Sequence, residues 1–344
     1  MVAHVLGSIR QLAARTRLTL MTILVTGVAG FIGFHTAAAL LESGREVVGI
    51  DNLNAYYSVD LKRARLAVLQ GRTGFAFHEL DVSDRAGIEA LLLRHQNVTS
   101  VVHLAAQAGV RHSLVDPFAY ITSNVLGHTV LLEAARKLPS LSHFVYASSS
   151  SVYGSNEKVP FAVGDRVDSP NSLYAASKRA GELISQAYTH LYKIPQTGLR
   201  FFTVYGPWGR PDMAAYIFAK KISAGEPISV FNSGEMWRDF TYIDDVVQGV
   251  VAAVDRPPAG SALHRLYNLG NNRSEKLTDF IAEIERALGK RAIMRFEPIQ
   301  KGDVVRTYAD IEQSRRDLGF DPRTRIQDGI PRFIDWFRAH HRLA

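Results

Sequence analysis

Cysteine is absent from all 344 residues of the chain. Its absence excludes disulfides, thiol nucleophiles and thiolate metal sites together, and it fits a reducing cytoplasm. Long apolar runs are missing too: none approaches the roughly 20 residues of a membrane-spanning helix, so no membrane partner is expected. Acidic charge is in short supply, with 33 Asp and Glu against 40 Lys and Arg and a formal net charge of +7. Three of the cations, Arg10, Arg15 and Arg17, sit in an opening segment that holds no acid, and the rest are dispersed rather than striped. Nucleic acid is therefore not an expected partner, whereas a modest positive field suits a small polyanionic substrate. The opening segment, residues 1–20, is broken by arginines every few residues and has no continuous apolar stretch, which excludes a secretory signal. It is expected to be a disordered extension; an amphipathic targeting helix, or an upstream start with translation beginning at Met21, are the other readings. The 12 histidines follow no ligand spacing, so no metal site is expected, and His35 and His103 are read as packing or hydrogen-bonding residues. Internal repeats and low-complexity tracts are likewise missing.

What is present starts with a hydrophobic content of 47%, enough in a chain of this length for a large core and two lobes. Residues 22–33 read TILVTGVAGFIG, a short apolar strand running straight into Gly27, Gly30 and Gly33. This is a dinucleotide fingerprint in a compact spacing. Gly27 allows the tight turn, Gly30 lets the backbone approach a pyrophosphate, and Gly33 lets the new helix pack on the sheet. Phe31 and Ile32 open that helix, whose N-terminus faces the phosphates. Glycine turns also arise for structural reasons, but here a helix (Phe31 to Ser43) and a second strand (Glu46 to Ile50, ending in Asp51) complete the context. An acid about 20 residues past the fingerprint accepts hydrogen bonds from the ribose hydroxyls and repels a 2′-phosphate, so NAD is expected rather than NADP. The following Asn52-Leu53-Asn54 is turn-like, which gives Asp51 a purely structural alternative.

Strands and helices then alternate. Gly74 to Glu79, Ser100 to His103, Leu141 to Ala147 and Gln196 to Leu199 read as strands; Asp84 to Leu93, Pro117 to Lys137 and Ser172 to Leu191 read as helices. The rhythm predicts an α/β doubly wound parallel (Rossmann) sheet with a smaller, mixed C-terminal substrate lobe. Residues 21–200, with part of 240–270 returning, form the expected cofactor domain; 201–240 and 271–344 form the lobe. Within the lobe a Gly/Pro/Trp-rich loop (Tyr205 to Pro211) precedes a helix, short strands near 228–231 and 237–242, and helices near 276–288 and 326–340.

A second constellation is Tyr174-Ala-Ala-Ser-Lys178, preceded by Ala147-Ser148-Ser149-Ser150-Ser151-Val152-Tyr153-Gly154. Tyr and Lys four apart share a helix face, so the ammonium, with the nicotinamide cation, is expected to lower the phenol toward working pH and make it a general base. The serine run ends a strand at the carboxyl edge of the sheet, where open α/β folds bind ligands. A Tyr-x-x-x-Lys pair alone more often means a solvated lysine beside a core tyrosine; its conjunction with the fingerprint and a strand-end serine argues for chemistry. Aromatic residues such as Tyr146, Phe201, Phe202 and Trp237 are read as core.

Taken together, TGVAGFIG, Asp81-Val82, HLAA (His103 to Ala106), Asn124, SSSSVYG, YxxxK and RDFTYIDD (Arg238 to Asp245) resemble the extended short-chain dehydrogenase/reductase family from Met21 onward. Within it the chain looks most like the UDP-glucuronate 4-epimerases, through DNLNAYYSVDLKRARL (Asp51 to Leu66), HLAAQAGVRHSL and RFFTVYGPWGRPDMA (Arg200 to Ala214). The resemblance implies bound NAD, with Asp81 and Val82 near adenine and Asn52, Leu104, Ala105, Ala106, Asn124 and Ala147 around the cofactor. It implies Tyr174 and Lys178 as the catalytic pair with Ser149 as hydroxyl partner. It also implies Arg238 on the UDP diphosphate, Asp303 on the uridine ribose, and a homodimer through the helices holding Asn124 and Tyr174. Thr203 stands where related UDP-galactose epimerases have Asn, consistent with a different sugar.

The expected reaction is reversible C4 epimerisation of UDP-glucuronate to UDP-galacturonate through a 4-keto intermediate, with the cofactor recycled. Dehydratases that resemble this chain carry an acid pair where Ser150 and Ser151 stand, and hydroxyls do that work poorly. Decarboxylation competes, because a 4-keto hexuronate is a β-keto acid; Arg210, helped by Thr203, is expected to pin the carboxylate, with loop capping as its other role. The alternatives are a 4-epimerase of another UDP-sugar, UDP-glucuronate decarboxylase and, more distantly, a non-catalytic NAD sensor.

Overall fold

The first strand shows why the sheet forms. In Thr22–Thr26 (β1) every residue is buried, and successive side chains face opposite sides. Ile23 and Val25 join one core cluster and Leu24 the other, so a strand without a polar face must lie between two helical layers. The computed structural model describes residues 21–300 and 302–343; the opening extension expected at 1–20 lies outside them.

The further strands are Glu46–Asp51 (β2), Phe75–Glu79 (β3), Val98–His103 (β4), His143–Ser149 (β5), Gln196–Phe201 (β6), Thr203–Tyr205 (β7), Ile228–Phe231 (β8), Trp237–Arg238 (β9), Phe240–Tyr242 (β10), His264–Leu269 (β11), Glu275–Lys276 (β12) and Met294–Glu297 (β13). Seven of them make one parallel sheet in the order β11-β6-β5-β4-β1-β2-β3. This is the doubly wound arrangement expected, and its order reverses at β1, which opens a crevice at the carboxyl ends of β1 and β4. The other six strands form three two-stranded sheets: β7 with β10, β9 with β12, and β8 with β13.

One face of the large sheet carries helices Phe31–Glu42 (α1), Val59–Gln70 (α2) and, later in the chain, Ile243–Val254, through Phe34, Leu40, Leu66, Val246 and Val250. The other carries Arg85–Arg94 (α3) and Gly127–Ala135, through Ile88, Leu91 and Leu131. Helix Leu173–Tyr192 lies there too, with Ile184 and Tyr188 against the same cluster.

Several elements differ from the sequence reading. The helix expected from Pro117 is interrupted: a short turn at Pro117–Tyr120 passes through a π-type turn, Ile121–Leu126, before Gly127–Ala135. The cause is Asn124, which turns inward to bond the Gln107 backbone, and Gly127, where a Cβ would stand 2.7 Å from Val82. Strand β5 ends two residues later than expected and so includes Ser148 and Ser149. Helix Val59–Gln70 was not read from the sequence because Lys62 and Arg65 are interspersed with Leu61, Leu66 and Leu69 on its inward face.

Candidate active site

The crevice is a cavity of about 950 Å³. At its dinucleotide end, Gly27 adopts φ +69°, and a Cβ there would lie 2.7 Å from the Ala105 nitrogen, so the turns after β1 and β4 pack backbone to backbone. A Cβ on Gly33 would strike the Gly27 carbonyl. Helix α1 opens on Gly30 with no side-chain cap and no acid in its first turn. Its N–H groups therefore face the cavity as an anion cradle, beside Phe31 and Ile32.

Asp51 makes the turn contacts anticipated for it and stands at the cavity edge. It lines the cavity, while Oδ2 accepts from the Ala29 N–H at 3.1 Å and Oδ1 from the Leu53 N–H at 2.9 Å. Burial pushes its carboxyl above the ordinary value, with the nearby Lys62 charge pulling the other way. Asn52 and Val82 line the cavity, but Asp81 does not; it accepts from Asn52 at 2.6 Å and from the Ser83 N–H at 2.8 Å, so it acts through Asn52. Leu104, Ala105 and Ala106 form the facing wall. His103 bonds Thr26, whose hydroxyl accepts from the Ala105 N–H, and His35 donates to the Pro207 carbonyl, so both histidines are structural.

The catalytic candidates meet on the cavity floor. Helix Leu173–Tyr192, capped by Ser172, presents Tyr174 and Lys178 one turn apart, against Ala147 and Ser149 of β5. The buried Lys178 ammonium donates to the Ala147 carbonyl at 2.9 Å, and burial pulls its pKa down to about 8. Ser149 Oγ accepts from the Ser151 N–H at 3.1 Å, which fixes the hydroxyl at the strand end. The Tyr174 phenol differs from expectation: without the cofactor, burial pushes it above 10.0, and the Ser149 hydroxyl and Arg210 charge oppose that only in part. The Lys178 ammonium, engaged by the Ala147 carbonyl, does not offset this burial. Asn124 lies behind the wall, where it bonds Gln107 N and O and Ser177 Oγ, each at 2.9 Å, and so ties the loop after β4 to the Tyr174 helix.

At the far end Ser150, Ser151, Thr203, Arg210, Arg238 and Asp303 all line the cavity. Arg210 does not offer its full fork: Nε and Nη2 are engaged by Asp212 at 3.0 and 2.5 Å. Tyr56 donates to the same carboxylate at 3.0 Å. Arg238 donates to the Trp237 and Val305 carbonyls, and Asp303 pairs with Arg111 at 3.2 Å. Burial lowers the Arg238 guanidinium, and the Asp303 charge offsets this. Tyr56, Asp212 and Arg111 line the cavity and were not singled out from the sequence, although each sits inside or beside a distinctive string: NAYY, GRPDM and AGVRHS. Of the expected core aromatics, Tyr146, Phe201 and Phe202 are buried, whereas Trp237 is half-buried between Lys276 and Arg306.

A sequence profile described as the NAD dependent epimerase/dehydratase family matches residues 23–270. The chain is 43% identical over 340 residues to a probable UDP-glucuronate 4-epimerase of Rhizobium meliloti (strain 1021), covering 94% of this chain and 99% of that one. It is 45% identical over 336 residues to UDP-glucuronate 4-epimerase 4 of Arabidopsis thaliana, covering 93% and 76%. Among solved structures it is similar to UDP-glucuronic acid 4-epimerase from Bacillus cereus in complex with UDP-glucuronic acid and NAD, with a TM-score of 0.86, 36% identity and coverage of 93% and 100%.

Proposed function

The chain belongs to the NAD dependent epimerase/dehydratase family, and from that premise we propose that it inverts C4 of UDP-glucuronate to give UDP-galacturonate, with NAD held and recycled. The observation that carries this is one cavity in which the uncapped α1 N-terminus, the Tyr174–Lys178 pair, Ser149 and the Arg210–Asp212 pair all meet. The residues present fit NAD: Gly27 and Gly33 leave no room for a side chain, and Asp51 stands at the end of β2 beside them. When bound there, NAD would supply reversible hydride exchange at C4 of the sugar.

The chain's own groups do the rest. Tyr174 removes the proton from the sugar O4 and gives it back, and the Ser149 hydroxyl holds the same oxygen. Lys178, fixed by the Ala147 carbonyl one helical turn from Tyr174, would hold the cofactor's nicotinamide ribose with its remaining donors. Arg238 and Asp303 hold the UDP end, which leaves the ring free to turn over. Ser150 and Ser151 supply hydroxyls where elimination would need acids. Arg210, oriented by Asp212, takes the sugar carboxylate with its remaining Nη1 and, with Thr203, keeps that group from rotating toward decarboxylation. The domain assignment, 21–200 with part of 240–270 for the cofactor and the remainder for the sugar nucleotide, belongs to this proposal, as does a cytoplasmic setting. So does a homodimer, for which the exposed Phe118, Ile121, Leu126 and Leu183 on the helices flanking Asn124 and following Tyr174 supply an apolar face.

The deciding experiment incubates purified protein, without added cofactor, with UDP-glucuronate, UDP-glucose and UDP-N-acetylglucosamine. Conversion of UDP-glucuronate to UDP-galacturonate alone is expected; turnover of the neutral sugars, or UDP-pentose as the main product, refutes the assignment. Arg210→Ala should weaken UDP-glucuronate binding by about 2 kcal/mol while leaving UDP binding intact. An unchanged affinity with unchanged product would make Arg210 a loop cap.

A further inference from the structure

The string DNLNAYYSVDLKRARL has no part in the proton chemistry, yet its most deeply buried member is a charge. Arg65 is 0% exposed. None of its nitrogens bonds a carboxylate; instead Nη1 donates to the Ala29 carbonyl at 2.8 Å and the Tyr57 hydroxyl at 2.9 Å, and Nη2 to the Trp208 carbonyl at 2.5 Å and more distantly to that of Gly209. A guanidinium buried on backbone carbonyls is expensive compared with an apolar side chain of the same size. Its location therefore asks for a reason beyond packing.

The acceptors supply one. Ala29 lies in the dinucleotide turn, whose next backbone group, Gly30, caps α1. Trp208 and Gly209 lie immediately before Arg210. Trp208 holds φ +61°, a conformation that a bulky residue keeps only when its surroundings impose it. Arg65 is the polar group on that strained carbonyl, His35 holds the preceding one, and the Trp208 ring is packed by Phe34 and Trp336. From the same string, Tyr56 donates to Asp212, the carboxylate that orients Arg210, and the Arg210 guanidinium lies 6.0 Å from the Tyr56 ring centroid. One segment thus grips the cofactor turn at one end and the Arg210 loop at the other.

We propose that Arg65, seconded by Tyr56, is a positioning residue that sets Arg210 in register with the cofactor turn, and so determines the preference for a sugar bearing a C6 carboxylate. This rests on Arg210 being the carboxylate clamp. A clamp carried on a loop from a different part of the chain than the cofactor turn is accurate only if something rigid spans the two, and a planar fork bonded to both backbones is such a strut.

The test is calorimetric binding of UDP-glucuronate, UDP-glucose and UDP to the purified protein with its retained NAD measured. Arg65→Met keeps length and apolar bulk while removing the fork. It should weaken UDP-glucuronate roughly tenfold and leave UDP-glucose, UDP and NAD content unchanged. Tyr56→Phe keeps the ring, lies in a loop where folding is not at stake, and should act in the same direction by about threefold. In an Arg210→Ala background, Arg65→Met should have no further effect on the ratio of the two sugars' affinities. Parallel weakening of both sugars, loss of NAD, or an additive double variant overturns the proposal, because Arg65 would then be a brace for the fold or the cofactor. If Arg210→Ala itself spares UDP-glucuronate binding, the clamp reading fails on that variant alone. If Arg210→Ala is selective and Arg65→Met is not, the clamp stands and the register role of Arg65 falls.

Discussion

Tyr174→Phe keeps the ring against Tyr120, 6.0 Å away between centroids, and removes only the oxygen that moves the proton. Turnover should fall by about a hundredfold or more with stability preserved, and an unchanged rate constant would remove Tyr174 from the mechanism. Asp51→Ala deletes the acceptor of the Ala29 and Leu53 N–H groups as well as the group facing the ribose. It should weaken NAD and relax rejection of NADP; if wild-type protein binds the two equally in calorimetry, the cofactor assignment is wrong. Lys178 offers a pH test. Its pKa of about 8 in the fold lies below the free value of 10.5, so the fold favours the neutral amine. The stability contributed is full above the free value and is lost as pH falls through about 8, since the unfolded chain binds more protons in that window. On cofactor-free protein, the stability deficit of wild type relative to Lys178→Met should shrink from pH 8 to pH 10, by about 2 kcal/mol. A deficit constant across that range would mean the ammonium is not desolvated.

At the scale of elements, the catalytic helix Leu173–Tyr192 is fixed by a buried ion pair. Glu182, two turns beyond Tyr174, receives both Nε and Nη2 of Arg200 from β6 at 2.8 and 2.9 Å, and the Ser148 hydroxyl from β5 at 2.6 Å. Both ionic side chains are 1% exposed. Such a pair gains little over a well-packed apolar pair, but removing one partner strands the other. Glu182→Leu or Arg200→Met should each cost about 3–5 kcal/mol in denaturant unfolding, and the double variant Glu182→Leu/Arg200→Met less than the sum. Additive losses would mean that the two side chains do not stabilise each other. The interrupted helix from Pro117 works similarly: its π-type turn gives up regular bonding so that Asn124 can reach Gln107 and Ser177.

At the scale of the molecule, the cavity belongs to no single segment, since its walls come from the ends of β1, β2, β4 and β5, from β9 and from loops around residues 210 and 303. The exposed apolar side chains Phe118, Ile121, Leu126 and Leu183 bear on assembly. Phe118 is 80% exposed, and Phe118→Lys should shift the proposed dimer to monomer in light scattering. A wild-type protein that is already monomeric at micromolar concentration would refute that interface.

The sequence by itself determined the dinucleotide turn, because only glycine satisfies a positive φ at Gly27 and the close approach at Gly33, and such demands are written in residue identity. It also determined the parallel sheet, because strands such as ILV at 23–25 have no polar face to offer water. The Tyr174–Lys178 pair and the serine run were legible from spacing alone. Tertiary structure decided what depends on partners distant in the chain. It spent the Arg210 fork on Asp212, aimed Lys178 at a carbonyl, and raised the Tyr174 phenol by burial. It placed Asp81 and Asn124 behind the cavity wall, and it turned Arg65 into a buried strut. Spacing along a chain fixes which face a side chain shares, whereas desolvation and the choice between competing hydrogen-bond partners are set only when other segments close around it.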